Sequence, residues 1–121
     1  MKKKRTGKYK NIIVKTKEGK FDSKKEYSIW LKLKRQQEKG LICDLQRQVP
    51  FVLIPTQYET IDKNKKVVEK ECKYIADYVW IDNETNKTVV ADCKGSILTP
   101  EFIIKRKLML YNFGIKIKII K

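Results

Sequence analysis

Two acids and a lysine, Asp77, Asp92 and Lys94, are the residues of this chain whose types and spacing could do chemistry. Residues 74–81 and 88–94 read as strands because β-branched and aromatic side chains dominate them, and the polar run 82–87 between them is turn-forming. A hairpin loop centred between Glu84 and Thr85 pairs Ile81 with Thr88 and sets Asp77 directly opposite Asp92. Strand alternation then points Asp92 and Lys94 to one face, and Ala91 and Cys93 to the other. Two carboxylates held ~4 Å apart repel by roughly 4 kcal/mol at an effective dielectric near 20. A proton or a cation between them relieves that cost, and a divalent metal is the natural candidate. A purely structural reading makes Asp77 and Asp92 exposed cross-strand neighbours, with Lys94 as their solvated ion-pair partner.

The rest of the composition narrows the chemistry. The chain has 121 residues, room for one domain with a modest core, and no apolar stretch approaches the length of a membrane span; an anionic membrane surface ranks behind nucleic acid as a partner, and no membrane partner is expected. Lys and Arg number 29 against 14 acids, a formal net charge of +15 that favours a polyanionic partner, nucleic acid first. Histidine is absent, and the three cysteines, Cys43, Cys72 and Cys93, have no CxxC spacing. Zinc sites of the usual kinds and nucleophiles activated by histidine are thereby excluded, leaving carboxylates and lysine as the catalytic side chains. An odd number of cysteines without a signal peptide fits a reducing, cytoplasmic setting with free thiols.

The elements that must position the acids follow from pattern. Residues 1–10 carry Lys2, Lys3, Lys4, Arg5, Lys8 and Lys10 with no acid, a basic arm that could track a phosphate backbone or simply solvate the chain. Residues 11–15 form a short strand candidate and residues 17–20 a turn. A helix is predicted over residues 23–39, ended by Gly40, with Tyr27, Trp30, Leu31 and Leu33 as a partial apolar stripe and Lys24 and Lys25 on a basic outer face. Ser23 to Glu26 matches a capping box, which explains Glu26 structurally; the first turn of a helix can equally aim an acid at a neighbouring sheet. Residues 43–54 contain Pro50 and read as a kinked or edge strand, with Gln46 and Gln48 polar where apolar residues are expected. Residues 56–66 read as a loop, and residues 67–71 as the start of the strand that continues into Tyr74. Thr99 and Pro100 open a second helix that ends at Gly114, with Phe102, Ile104, Leu108 and Tyr111 on its buried face and Lys105, Arg106 and Lys107 as a basic cluster. Residues 115–119 alternate cleanly as a last strand. The order predicts an α/β or α+β domain with a mixed central sheet flanked by helices.

Asp77, followed by Asp92-Cys93-Lys94 and preceded by Glu26 on the first helix, resembles the signature of the PD-(D/E)XK nuclease superfamily, the restriction-endonuclease-like fold, over residues 21–120. Ala76 stands where many members carry proline. Phe21-Asp22-Ser23-Lys24-Lys25-Glu26, Tyr74-Ile75-Ala76-Asp77 and Asp92-Cys93-Lys94-Gly95 are most similar to a small phage-borne branch. The basic arm and short strand over residues 1–20 precede the matched region, and the resemblance implies a single nuclease domain over residues 21–121. It implies a Mg²⁺-dependent DNA endonuclease, with Mn²⁺ as a substitute, that acts on branched DNA such as a Holliday junction in phage recombination. Glu26, Asp77, Asp92 and the backbone carbonyl of Cys93 would bind the metal, which would lower the pKa of a water. Lys94 would position the nucleophile or stabilise the transition state, and Gln48 would be an auxiliary polar residue. Lys2, Lys3, Lys4, Arg5, Lys24, Lys25, Lys105, Arg106 and Lys107 would hold the DNA backbone. Cutting two strands implies a homodimer, and a phage partner protein could supply targeting. A reading of another class is a non-catalytic nucleic-acid-binding protein that keeps the fold.

Overall fold

A computed structural model describes residues 13–121. Lys2, Lys3, Lys4 and Arg5 of the basic arm, and Asn11 and Ile12 of the first expected strand, lie outside the described residues. The chain runs from a short hairpin, β1 (Val14–Thr16) and β2 (Gly19–Phe21), into α1 (Lys24–Glu38) and the long strand β3 (Ile42–Ile54). A second hairpin follows, β4 (Gln57–Ile61) and β5 (Asn64–Glu69), then β6 (Cys72–Asp82), β7 (Lys87–Cys93), α2 (Pro100–Phe113) and β8 (Lys118–Ile120).

Strands β3, β6, β7 and β8 make one sheet in that order, antiparallel except for the parallel pair β7–β8. A parallel step between neighbours needs a crossover connection, and α2 supplies it. The result is an α+β domain with a mixed central sheet and two helices, consistent with a restriction-endonuclease-like layout. β3 is the edge strand that its Pro50 requires, with pairing irregularities between Cys43 and Gln46 and between Val52 and Ile54.

Each helix covers one face of the sheet. Phe102 and Met109 of α2 pack with Leu53, Tyr74, Ala76, Val79, Val90 and Ile117, while Leu33 of α1 packs with Ile42, Tyr78, Trp80 and Ala91. The helix ends are set by their caps. Ser23 Oγ accepts from the Glu26 N–H at 3.1 Å and Thr99 Oγ1 accepts from the Phe102 N–H at 3.1 Å. Pro100 opens α2, and Gly114 closes it with φ 69°, a left-handed conformation that glycine takes without steric cost.

Four expectations need correction. Residues 56–66 are not a loop: they hold β4 and the start of β5, joined by Asp62 and Lys63 with φ 49° and 68°. Two positive φ values in succession make the twisted two-residue turn that hairpins favour, and Asp-Lys lacks the glycine that usually signals it. Residues 67–71 do not run into Tyr74 as one strand, since Val67 closes against Tyr58 within the hairpin and β6 begins anew at Cys72. Ile104 and Tyr111 are exposed at 58% and 87%, and Met109, fully buried, takes their place. They fall on the side of α2 opposite Phe102 and Met109, so of the expected stripe only Phe102 and Leu108 turn toward the core. The last strand begins at Lys118 rather than at residue 115, although Ile117 is buried between exposed Lys116 and Lys118 as the alternation requires.

The phase of α2 is testable. Met109→Ala is expected to cost about 2–5 kcal/mol in urea denaturation, as for other fully buried large-to-small changes. Tyr111→Ala should stay within about 0.5 kcal/mol of wild type.

Candidate active site

Register sets three polar side chains in one row across the sheet. Arg47 pairs with Tyr78 and Val49 with Ala76, so Gln48 stands opposite Asp77. Ile81 pairs with Thr88 and Tyr78 with Ala91, so the next position sets Asp77 opposite Asp92. The backbone ladder does not cross this row: regular pairing skips Gln48, and between β6 and β7 it ends at Tyr78–Ala91. Gln48 has φ 54°, uncommon for a residue with a side chain. Its Nε2 donates to Asp77 Oδ1 at 3.3 Å, and the Cys93 backbone N–H donates to Asp77 Oδ2 at 2.9 Å. The Asp77 carboxylate thus accepts a strand amide where the ladder has stopped. The inward phase of β6 slips at the same point, with Tyr74, Ala76 and Val79 facing the α2 layer and Tyr78 and Trp80 the α1 layer. Strict alternation cannot do this; a local break at Asp77 can.

Asp92 is 3% exposed, which rules out the reading of it as a solvated surface acid. Lys94 Nζ lies 3.1 Å from Asp92 Oδ2 and 4.4 Å from the Phe102 ring centre, so the ammonium is held between a carboxylate and an aromatic face. Burial pushes the Asp92 carboxyl up from its ordinary value, the neighbouring Asp77 carboxyl pushes it further by hydrogen bonding and by charge, and Lys94 only partly offsets them. Glu26, half-buried in the first turn of α1, is pushed up to about 7, first by burial, then by the charges of Asp77 and Asp22, against the pull of Arg47 and Lys94. The capping box is half formed: among the described residues the Glu26 carboxylate makes no bond back to the Ser23 amide, which leaves it free to face the strand ends.

Two clefts meet at Lys94. One, of about 260 Å³, is lined by Asp77, Asp92 and Lys94 together with Lys73, Tyr74 and Lys105. The other, of about 500 Å³, is lined by Glu26, Lys25, Cys93 and Lys94. The acids therefore fall as a pair plus one, and among the described residues no three Asp, Glu or Cys side chains stand close enough to hold an ion as they are. The donors are nonetheless all oxygens, and the raised proton affinity of Asp92 and Glu26 comes first from burial and then from neighbouring acid charge that Lys94 only partly offsets, a setting a hard divalent cation fits. Of the expected basic residues, Lys25 and Lys105 border the clefts. Lys24 is exposed on α1 outside both, and Arg106 and Lys107 line a separate groove with Leu110 and Lys116.

Sequence reasoning missed Arg47, Lys73, Tyr74 and Tyr78. Arg47 lies 3.7 Å over the Phe21 ring and donates to the Lys20 carbonyl at 2.6 Å, which fixes a positive charge on the Glu26 side. The polar run Gln46-Arg47-Gln48 inside a strand was the available signal. The two tyrosines read as core, and they are; only their hydroxyls differ. Tyr78 donates to the Glu26 carbonyl at 2.7 Å, tying β6 to the first turn of α1. The Tyr74 hydroxyl is buried beside Asp92 without a hydrogen bond of ordinary geometry among the described residues.

That contrast gives a paired expectation. Tyr78→Phe should lose about 0.5–1.5 kcal/mol of stability, whereas Tyr74→Phe, which removes an unsatisfied buried group, should melt at or above wild type. The acids give a second. An acid with a folded pKa above its unfolded value stabilises the fold below the unfolded pKa, and that contribution is lost as pH rises through the folded pKa. For Asp92 and Glu26 the window opens near their ordinary values of 3.8 and 4.5 and closes for Glu26 at about 7. Asp92→Asn should accordingly melt above metal-free wild type at pH 8, with the advantage shrinking as pH falls toward 4 in a series of thermal melts.

No curated protein and no solved structure matches the chain. The family model that does match spans residues 6–121 and is described as a protein of unknown function (DUF1064), so the chain, over nearly its whole length, belongs to the DUF1064 family.

Proposed function

We propose that this protein is a metal-dependent endonuclease of the PD-(D/E)XK type that hydrolyses phosphodiester bonds in DNA, with branched DNA as the favoured substrate. The observation that carries the reading is a buried acid, Asp92, set against a second acid, Asp77, with Lys94 3.1 Å from the first. A structural salt bridge needs one acid and one base; the second acid, half-buried Asp77, takes a structural bond from the Cys93 amide but adds a negative charge beside Asp92 that Lys94 only partly offsets.

Asp77, Asp92 and the backbone carbonyl of Cys93 would hold Mg²⁺ or Mn²⁺ on the α2 side, with Glu26 approaching from the α1 side. A divalent cation there supplies Lewis acidity toward a phosphoryl oxygen and a water of lowered pKa. Gln48 and the Cys93 amide orient Asp77 through its two carboxylate oxygens. Lys94, the side chain common to both clefts, presents its ammonium to charge developing on the scissile phosphate. Lys25, Lys73 and Lys105 border the clefts and would take the flanking phosphates. A non-catalytic nucleic-acid-binding role is the second reading, favoured by the absence of a ready three-acid set among the described residues.

Cleavage of labelled linear duplex, single-stranded, flap and four-way-junction DNA, with a matching RNA, separates the two. The nuclease reading expects products with Mg²⁺ or Mn²⁺, none with chelator, and preference for a branched substrate. Lys94→Ala should lower the rate by about 100-fold or more, the scale of losing one group that stabilises transition-state charge. Asp77→Asn keeps an acceptor for the Cys93 amide and should abolish cleavage while leaving DNA affinity in place. Tight, metal-independent binding with no cleavage of any substrate would establish the second reading.

A further inference from the structure

The hairpin β4–β5 stands apart from the domain. Every residue of both strands is exposed, and among the described residues the two form a sheet of their own that joins no other strand. Its base is tied where the Glu71 N–H donates to Thr56 Oγ1 at 3.1 Å, and its tip is the Asp62-Lys63 turn. An isolated two-stranded ribbon is at best marginally stable in water, because neither face is covered and both edges leave backbone groups unpaired. This ribbon also carries Tyr58, Ile61, Val67 and Val68, each about half exposed, with Tyr58 and Val67 as a cross-strand pair. Apolar and aromatic residues held out on a projecting ribbon imply that something covers them.

Charge selects the occupant. Within residues 57–69, Lys63, Lys65 and Lys66 are matched by Glu59, Asp62 and Glu69, so the entire +15 excess of the chain lies outside the ribbon. A nucleic-acid arm would concentrate positive charge, and this one has none in excess. Two copies of a chain this basic repel one another, and a neutral segment bearing apolar side chains is where they can approach. Glu59 and Lys66 are cross-strand partners on the face opposite Tyr58 and Val67, so the charges of that pair lie away from the apolar pair that a two-fold-related copy would cover.

We infer that the β4–β5 ribbon is a homodimerisation arm, through which Tyr58 and Val67 of one copy pack against the ribbon of a second. The ribbon connects β3 and β6, the strands that carry Gln48 and Asp77, so pairing it fixes the spacing of two sites in one assembly. The inference concerns association and holds whether or not the site cleaves DNA.

Sedimentation equilibrium of the full chain tests it, with wild type compared to Val67→Asp and to Tyr58→Asp. Both positions are exposed, so the variants are expected to keep the wild-type circular dichroism spectrum. The expected result is a wild-type mass of two chains and a mass of one chain for each variant. A wild-type mass of one chain at every concentration would overturn the inference, as would variants that remain dimeric. A single-chain wild type whose DNA affinity falls on Lys65→Glu would assign the ribbon to nucleic acid instead, which also overturns it.

Discussion

The fold converges on one constraint, that the β6–β7 hairpin forces two carboxylates together at the place where its ladder ends. The polar turn fixes Ile81 against Thr88, and every pair up to Tyr78 and Ala91 follows from it. The next pair is Asp77 and Asp92, and regular pairing stops there. Asp77 replaces the missing ladder bond with its own side chain by accepting from Cys93 N–H. The departures around it, the left-handed Gln48 and the slipped phase of β6, are accommodations to that break. Conformational strain and electrostatic repulsion gathered in one row are what a functional site accumulates and a structural core avoids.

The surroundings hold this arrangement without neutralising it. Phe102 and Met109 fix α2 against the sheet on the Asp92 side, and the Phe102 ring gives Lys94 a face to rest on. Tyr78 ties α1 down on the other side and thereby aims Glu26 at the strand ends. Lysines border both clefts, so a polyanion meets positive charge at the rim before it meets the acids. Negative charge in the middle of a basic surface is a poor binding site for phosphate alone. Bridged by a cation it becomes a favourable one, which is why the site's affinity for metal and for a phosphodiester would be coupled.

Much of this was legible in the sequence because it rests on short-range pattern. The hairpin register follows from a six-residue polar run, and both helix starts follow from Ser23 and from Thr99-Pro100. Gln48 stood out as a polar residue in a strand and proved to contact Asp77. What escaped depended on tertiary context or on weak local signals. The ribbon β4–β5 intersperses Tyr58, Thr60, Ile61, Val67 and Val68 among Gln, Glu, Lys and Asn, with apolar residues on both faces, around a turn without glycine. Its pairing therefore left no alternation to read. On α2, apolar residues occupy two sides, and only the position of the sheet decides that Met109 rather than Tyr111 turns inward. Burial depth was equally invisible, since nothing local distinguishes the nearly inaccessible Asp92 from an exposed strand acid.

Calorimetric titration of the protein with Mg²⁺ near pH 6.5, repeated in buffers of different ionisation enthalpy, measures metal binding and proton release together. Because Asp92 and Glu26 hold protons more tightly than ordinary acids, a cation that binds among them must displace protons. The account predicts saturable binding with net proton release in wild type and loss of both in Asp92→Asn. Undetectable binding in wild type, or binding and proton release unchanged by Asp92→Asn, would contradict it.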